Sequence, residues 1–337
     1  MTDLRRVRIG LVGCGLFGES HLLAYRAVAN AEVTAVFDTD PTRAARAAAS
    51  GVPRVCSTLD ELCALPDLDA VDVVTPEHLH AGPVLAALAR GKHVFVEKPL
   101  ATDLDECARM IEAARAADRM IMVGHILRFE TKYAMLKEEI VSGRLGAVVS
   151  LHSRRNRPKA QLPLYARAHL ALETGIHDLD MMLWYVDRPV RRVRGYERRA
   201  SQDQQVDTFW GVLEFEGGAI GVIQTIWLLP EAAGISLDDA FQVIGTGGVG
   251  NLQLVPGSLS FWRDTGFELP DVSYDPRVMN SARGALRDEL AYFCECVLGN
   301  RPFEINTGIE AKRAVRVALA LIESARAGKD VELAALD

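Results

Sequence analysis

Val7-Arg8-Ile9-Gly10-Leu11-Val12-Gly13-Cys14-Gly15-Leu16-Phe17-Gly18 is the stretch on which the fold turns. Val7 to Val12 is apolar and β-branched enough to read as a strand, and Phe17 to Val28 carries a helix pattern. Between strand and helix each glycine has its own duty. Gly13 permits a tight turn, Gly15 lets a phosphate group approach the backbone, and Gly18 lets helix and strand pack closely. The helix start at Leu16 and Phe17 offers free N–H groups and positive dipole to an anion.

Asp38 stands 20 residues beyond Gly18, at the end of a second strand, Val33 to Phe37. A carboxylate there accepts hydrogen bonds from ribose hydroxyls and repels a 2′-phosphate, which points to NAD in preference to NADP. Arg43, a little further on, is within reach of an adenine or a phosphate. Glycines and an aspartate doing turn chemistry alone are the plainer reading. The joint register of strand, turn, helix and acid favours the dinucleotide.

Working outward, apolar strands keep alternating with Ala/Leu-rich helices. A helix begins at Pro41, strands follow at Ala70 to Val74 and His93 to Val96, and the helix between them ends at Gly91. A helix over Asp103 to Ala117 and a strand over Met120 to Val123 complete the series. This alternation predicts an α/β, doubly wound Rossmann domain over residues 1–124. The pattern then changes. After a helix at Lys132 to Val141 come a strand at Ala147 to Ser153 and a helix at Leu172 to Val186. From Val190 to about Trp262, strands succeed one another: Val193 to Arg199, Val206 to Glu214, Ala219 to Trp227 and Phe241 to Ile244. Helices at Ala282 to Leu298 and Gly308 to Ala327 close the chain. Residues 125–337 therefore read as a C-terminal α+β domain with a large, mostly antiparallel sheet.

Composition bounds the function. The 337 residues are 49% hydrophobic and 25% charged, with a formal charge of −7, so nothing draws the chain to nucleic acid or an anionic membrane. No apolar run is long enough to span a bilayer, and the polar lead-in Met1 to Arg6 does not resemble a secretory signal. The 6 cysteines, without a CxxC pair, suit packed, reduced thiols. A cytoplasmic protein acting on a small molecule is the expectation.

Three further stretches fall where such a domain exposes chemistry: Thr75-Pro76-Glu77-His78-Leu79-His80, Glu97-Lys98-Pro99, and Glu173-Thr174-Gly175-Ile176-His177-Asp178-Leu179-Asp180. With Gly124-His125, Arg128-Phe129, Gly245-Thr246-Gly247-Gly248 and Glu323-Ser324, their order and spacing resemble the Gfo/Idh/MocA oxidoreductases nearly end to end. The resemblance implies hydride transfer between NAD and a hydroxyl-bearing carbon of a sugar, cyclitol or sugar derivative. A nucleotide sugar, or a non-catalytic NAD-binding sensor, are the alternatives it leaves.

The resemblance also assigns roles. Lys98 approaches the nicotinamide ribose and the substrate hydroxyl, where an ammonium orients the oxygen and stabilises negative charge on it. Glu173 and His177 form the second catalytic pair. On one helix, i and i+4 share a face, and an imidazole titrates near neutrality, which suits it to take a hydroxyl proton. The family more often carries aspartate where Glu173 stands. Lys98 and His177, from separate domains, are expected to meet at the reacting carbon.

Other assignments stay two-sided. Thr75, Pro76, His78, His80 and Glu97 are read as cofactor contacts, with a helix-start role as the alternative for the histidines. Arg128, Arg154, Asn156 and Thr174 are read as substrate contacts, against a solvated basic loop for Arg154 to Arg157. Glu173, His177, Asp178 and Asp180 raise a metal site, but Asp178 points off the Glu173/His177 face and the chemistry needs no metal, so none is expected. By resemblance, the second domain's sheet face mediates a homodimer or homotetramer.

Overall fold

The computed structural model describes residues 5–165, 167–201, 205–254, 259–263 and 266–334. Residues 1–4 of the polar lead-in, and 202–204 and 255–258 within the expected strand series, lie outside the described residues. The chain divides into two compact units. The first runs to Phe129 and takes in Tyr274–Lys312; the second is Glu130–Ser273 with the residues from Arg313 onward. This differs from a single cut after residue 124.

In the first unit β1 (Val7–Val12), β2 (Ala31–Phe37), β3 (Ala70–Val73), β4 (His93–Glu97) and β5 (Ile121–Gly124) form a parallel sheet in the order β2-β1-β3-β4-β5. The helices are α1 (Leu16–Arg26), α2 (Pro41–Ala49), α3 (Leu59–Cys63), α4 (Ala81–Ala89) and α5 (Leu104–Ala116). The path leaves β1 toward β2 and leaves β3 toward β5. Right-handed crossovers in those opposite directions put α1 and the α4–α5 pair on opposite faces. The reversal between β1 and β3 is the switch point at which such sheets bind ligands. Val55 adds a single parallel bridge to Val36, the remnant of a third strand on that edge. Helix starts follow local chemistry. Asp40, Thr58 and Asp103 accept from the N–H of Thr42, Glu61 and Glu106, each cap contributing about 1 kcal/mol. The short α3 has too few residues to show a period and was not expected.

The second unit opens with α6 (Thr131–Val141) and β6 (Val148–Pro158), then α7 (Leu170–Glu173) and α8 (Gly175–Val186). Strands β7 (Val190–Arg198), β8 (Thr208–Phe215), β9 (Ile220–Leu229), β10 (Asp238–Gly245) and β11 (Val249–Gln253) follow. With the late strand Val331–Glu332 they make a 7-stranded sheet, β11-β10-β6-β9-β8-β7 and then the late strand. It is antiparallel except where β6 pairs with β9. Burial alternates along it: Phe209, Leu213 and Phe215 are buried, whereas Trp210 is exposed.

Two expectations change here. The basic run Arg154 to Arg157 is not a loop after a strand but the continuation of β6, paired residue by residue with β10, so that Asn156 faces Asp238 and Arg155 faces Asp239. The carboxylates opposite make a basic strand tenable. The helix expected over Leu172 to Val186 is broken at Thr174, the shared end of α7 and α8, with φ −110° and ψ −45°.

The chain then returns to the first unit. Leu286, Leu290 and Phe293 of α9 (Ala285–Gly299) are fully buried and join Val7, Ile9, Tyr25 and Phe95 in one core. A final helix, α10 (Gly308–Ala327), follows. No helix among the described residues is long and apolar enough to cross a membrane.

Candidate active site

The glycine turn has the shape its sequence predicts. Gly13 sits at φ +98°, and a Cβ there would lie 2.5 Å from the Val74 carbonyl oxygen. At Gly18 a Cβ would collide with the Gly13 carbonyl, whereas at Gly15 it would meet nothing within 4 Å. Gly15 caps α1 without any side-chain hydrogen bond, so the first-turn N–H groups stay open to an anion. Leu16 and Phe17 are exposed there. Asp38 follows β2, and its carboxylate accepts from Cys14 N at 2.7 Å and Asp40 N at 2.8 Å. It is thereby held against the glycine turn with lone pairs to spare for ribose hydroxyls. Open space, free donors and a placed acid fit a dinucleotide. Arg43 lies 3.4 Å from Asp40 on the exposed start of α2.

The loops after β3 and β4 are braced from below. His80 is buried, with Nδ1 2.9 Å from the Pro99 carbonyl oxygen and Nε2 2.9 Å from that of Thr75. It ties the two loops together, so its ring is committed to backbone and not presented to a cofactor. Burial pushes its pKa down, with the carbonyls opposing. His78 and Pro76 are exposed, and the Thr75 hydroxyl is buried without a hydrogen-bond partner. Glu97 is buried, and its carboxylate accepts from Lys98 N at 3.1 Å. Lys98 itself is half-buried and precedes a cis bond to Pro99. Arg128 is buried and paired with Glu310 at 2.5 Å, which makes it an internal ion pair of the first unit.

Sequence reasoning missed a buried group beside Glu97. His21, on α1, has Nδ1 2.8 Å from Asp72 of β3 and Nε2 3.3 Å from Glu97. Burial would depress its pKa, but the two carboxylates override that and raise it to about 10. The available signal was a histidine on the face of α1 that also carries Leu22 and Tyr25 inward.

In the second unit, Glu173 and His177 are the residues of Ala171 to Asp180 that stay half-exposed while their neighbours are buried. They fall on either side of the Thr174 break, so the shared face does not come from one continuous helix. Thr174 is buried and its hydroxyl accepts from the Trp227 indole at 3.2 Å, a packing role. Asp178 points the other way, taking two bonds from Arg155 at 2.9 and 3.0 Å. Arg155 also reaches Asp239 at 2.7 Å and the Tyr133 hydroxyl at 3.1 Å.

Alternation along β6 puts Arg154 and Asn156 on the sheet face opposite Arg155, and therefore opposite α8. There Arg154 pairs with Asp238 at 2.9 Å, and Asn156 bridges Asp238 and Gln224. The structure does not bring these two together with Glu173 and His177. Among the described residues no group of three or more His, Cys, Asp or Glu side chains is placed to hold a metal ion.

A model of an oxidoreductase family with an NAD-binding Rossmann fold matches residues 7–125, and the C-terminal domain of the same family matches residues 133–250. The chain belongs to the Gfo/Idh/MocA family. Inositol 2-dehydrogenase 2 of Saccharopolyspora erythraea is 32% identical over 83% of this chain and 83% of its own. Inositol 2-dehydrogenase 3 of that organism is 34% identical over 63% of this chain, which spans 64% of that relative's length. The fold is also that of scyllo-inositol dehydrogenase from Lactobacillus casei, solved with NAD(H) and scyllo-inositol. It superposes with a TM-score of 0.83 at 22% identity, over 97% of this chain and 99% of that one. Gfo/Idh/MocA membership makes this an NAD-binding Rossmann protein of oxidoreductase type.

Proposed function

We propose that the protein oxidises a secondary hydroxyl of a cyclitol such as inositol, or of a closely related sugar, using NAD. The observation that carries the reading is the selective exposure of Glu173 and His177 in an otherwise buried stretch, in a chain similar to inositol 2-dehydrogenases. Gly13, Gly15, Gly18 and the start of α1 hold the pyrophosphate, and Asp38 holds the adenosine ribose. NAD, when bound, supplies the hydride acceptor. Lys98 orients the substrate oxygen and stabilises the negative charge that grows on it. His177 takes the hydroxyl proton, and Glu173 orients that imidazole or a neighbouring hydroxyl.

Arg154 is engaged by Asp238, which removes the basic loop that motivated a nucleotide sugar. The cofactor contacts expected of Thr75, Pro76, His78 and Glu97 come from the two loops that His80 ties together. We further infer a cytoplasmic homo-oligomer. The six free cysteines are all buried, and Tyr196, Trp210, Ile220 and Val249 lie exposed on strands of the second unit's sheet. Apolar surface of that kind favours a second copy.

The test is a panel of inositols, sugars and other polyols assayed for NAD reduction by absorbance. Turnover strongest on a cyclitol supports the reading. Tight NAD binding with no turnover across the panel would identify a sensor instead.

A further inference from the structure

The Glu97 carboxylate is held from three directions. His21 Nε2 lies 3.3 Å from Oε1, and the Lys98 amide donates to Oε2 at 3.1 Å. On the third side Gly124 leaves the room: a Cβ there would be 2.5 Å from Oε1. His21 is fully buried between edge contacts with Phe17 and Phe95, whose ring centroids lie 5.0 and 5.7 Å away. Both its ring nitrogens face carboxylates, Asp72 on β3 and Glu97 on β4. A cationic ring hydrogen-bonds Asp72 through Nδ1 and pairs by charge with Glu97 through Nε2, which makes no hydrogen bond there. A neutral ring would turn a bare lone pair toward one of them.

The helix that carries His21 also begins with the glycine turn. One imidazole thus connects the phosphate-binding helix to the residue immediately before Lys98. We propose that His21 is a positioning residue for Lys98: as an imidazolium between Asp72 and Glu97 it immobilises the Glu97 carboxylate, which holds the Lys98 backbone and so aims its amine. The inference rests on the dehydrogenase reading for Lys98's role, and on the structure alone for the clamp.

The charged and titratable groups around His21 are Asp72, Glu97, Tyr25 on its own helix and Glu289 on α9. Burial and then Glu97 push Glu289 well above the usual carboxylate range, and it accepts from Asn306 at 2.9 Å. Burial likewise raises Asp72, with His21 opposing. The imidazolium is the cation that offsets Asp72 and Glu97.

Two measurements test this. Histidine-selective NMR of the full chain, with the His21 signal assigned by its loss in His21→Gln, should show a protonated ring at pH 8. A neutral ring at that pH would overturn the clamp. Kinetics then test positioning. His21→Gln should lower kcat about tenfold or more while the NAD dissociation constant moves less than about threefold. In a Glu97→Gln background the same change should cost less than about threefold, because its partner is already gone. A His21→Gln protein with unchanged kcat per folded molecule, or with full additivity to Glu97→Gln, would reduce His21 to a structural brace. If the wild type binds NAD and turns over no polyol, the dehydrogenase reading has failed separately, and the NMR result alone decides the clamp.

Discussion

At the scale of single residues, Gly13 and Gly15 sit two positions apart and have opposite sensitivities. Gly13 is demanded by the fold, through its positive φ and the nearby Val74 carbonyl, whereas Gly15 has empty space around it. Gly13→Ala should therefore destabilise the protein by more than about 2 kcal/mol. Gly15→Ala should leave the melting temperature nearly unchanged and weaken NAD at least about tenfold, since the added methyl occupies the space the pyrophosphate needs. Thermal melts alongside NAD titrations check both; a Gly15→Ala protein that binds NAD as the wild type does would remove the pyrophosphate from that turn. Asp38 is oriented by the Cys14 and Asp40 amides, which fixes the carboxylate that the proposal gives to the ribose.

Among the elements, β6 shows where a sequence reading succeeds and where it stops. Its first residues announce a strand by apolar alternation, but Arg154 to Arg157 look like a solvated loop until the acids of β10 are known to lie opposite. That pairing is 82 to 84 residues away in sequence and no local pattern encodes it. The same limit hid His21, whose partners Asp72 and Glu97 come from different strands. By contrast, the glycine turn and the alternation of strands and helices in the Rossmann part rest on neighbours in the chain, and they were legible. Glu173 and His177 were assigned by family resemblance, and the single helix expected to align them is interrupted at Thr174. The buried Arg155 offers the prediction at this scale. It is almost fully buried and neutralises Asp178 and Asp239, both wholly so. Arg155→Ala strands the buried Asp178 carboxylate, while Asp239 keeps Arg157, and should cost about 3–5 kcal/mol; Arg154→Ala on the opposite face should cost under about 1 kcal/mol. Urea unfolding separates the two, and equal losses would contradict the assignment of faces.

For the whole molecule, the chain makes its first unit in two passes. Residues through Phe129 supply the sheet and its nucleotide turn, and Tyr274–Lys312 return to complete the core with Leu286, Leu290 and Phe293. Most of the second unit, Glu130–Ser273, falls between those passes in the sequence and carries Glu173 and His177. Family membership assigns the chain an NAD-binding fold and relatives named as inositol 2-dehydrogenases; the proposed chemistry rests on its own residues, above all the amine that follows β4. The most direct measurement is turnover of NAD and a cyclitol by Lys98→Met, compared with wild type, with NAD affinity measured on the same samples. The account predicts that the variant binds NAD within about threefold of wild type while kcat falls by at least about a hundredfold. A variant that turns over at the wild-type rate would contradict it.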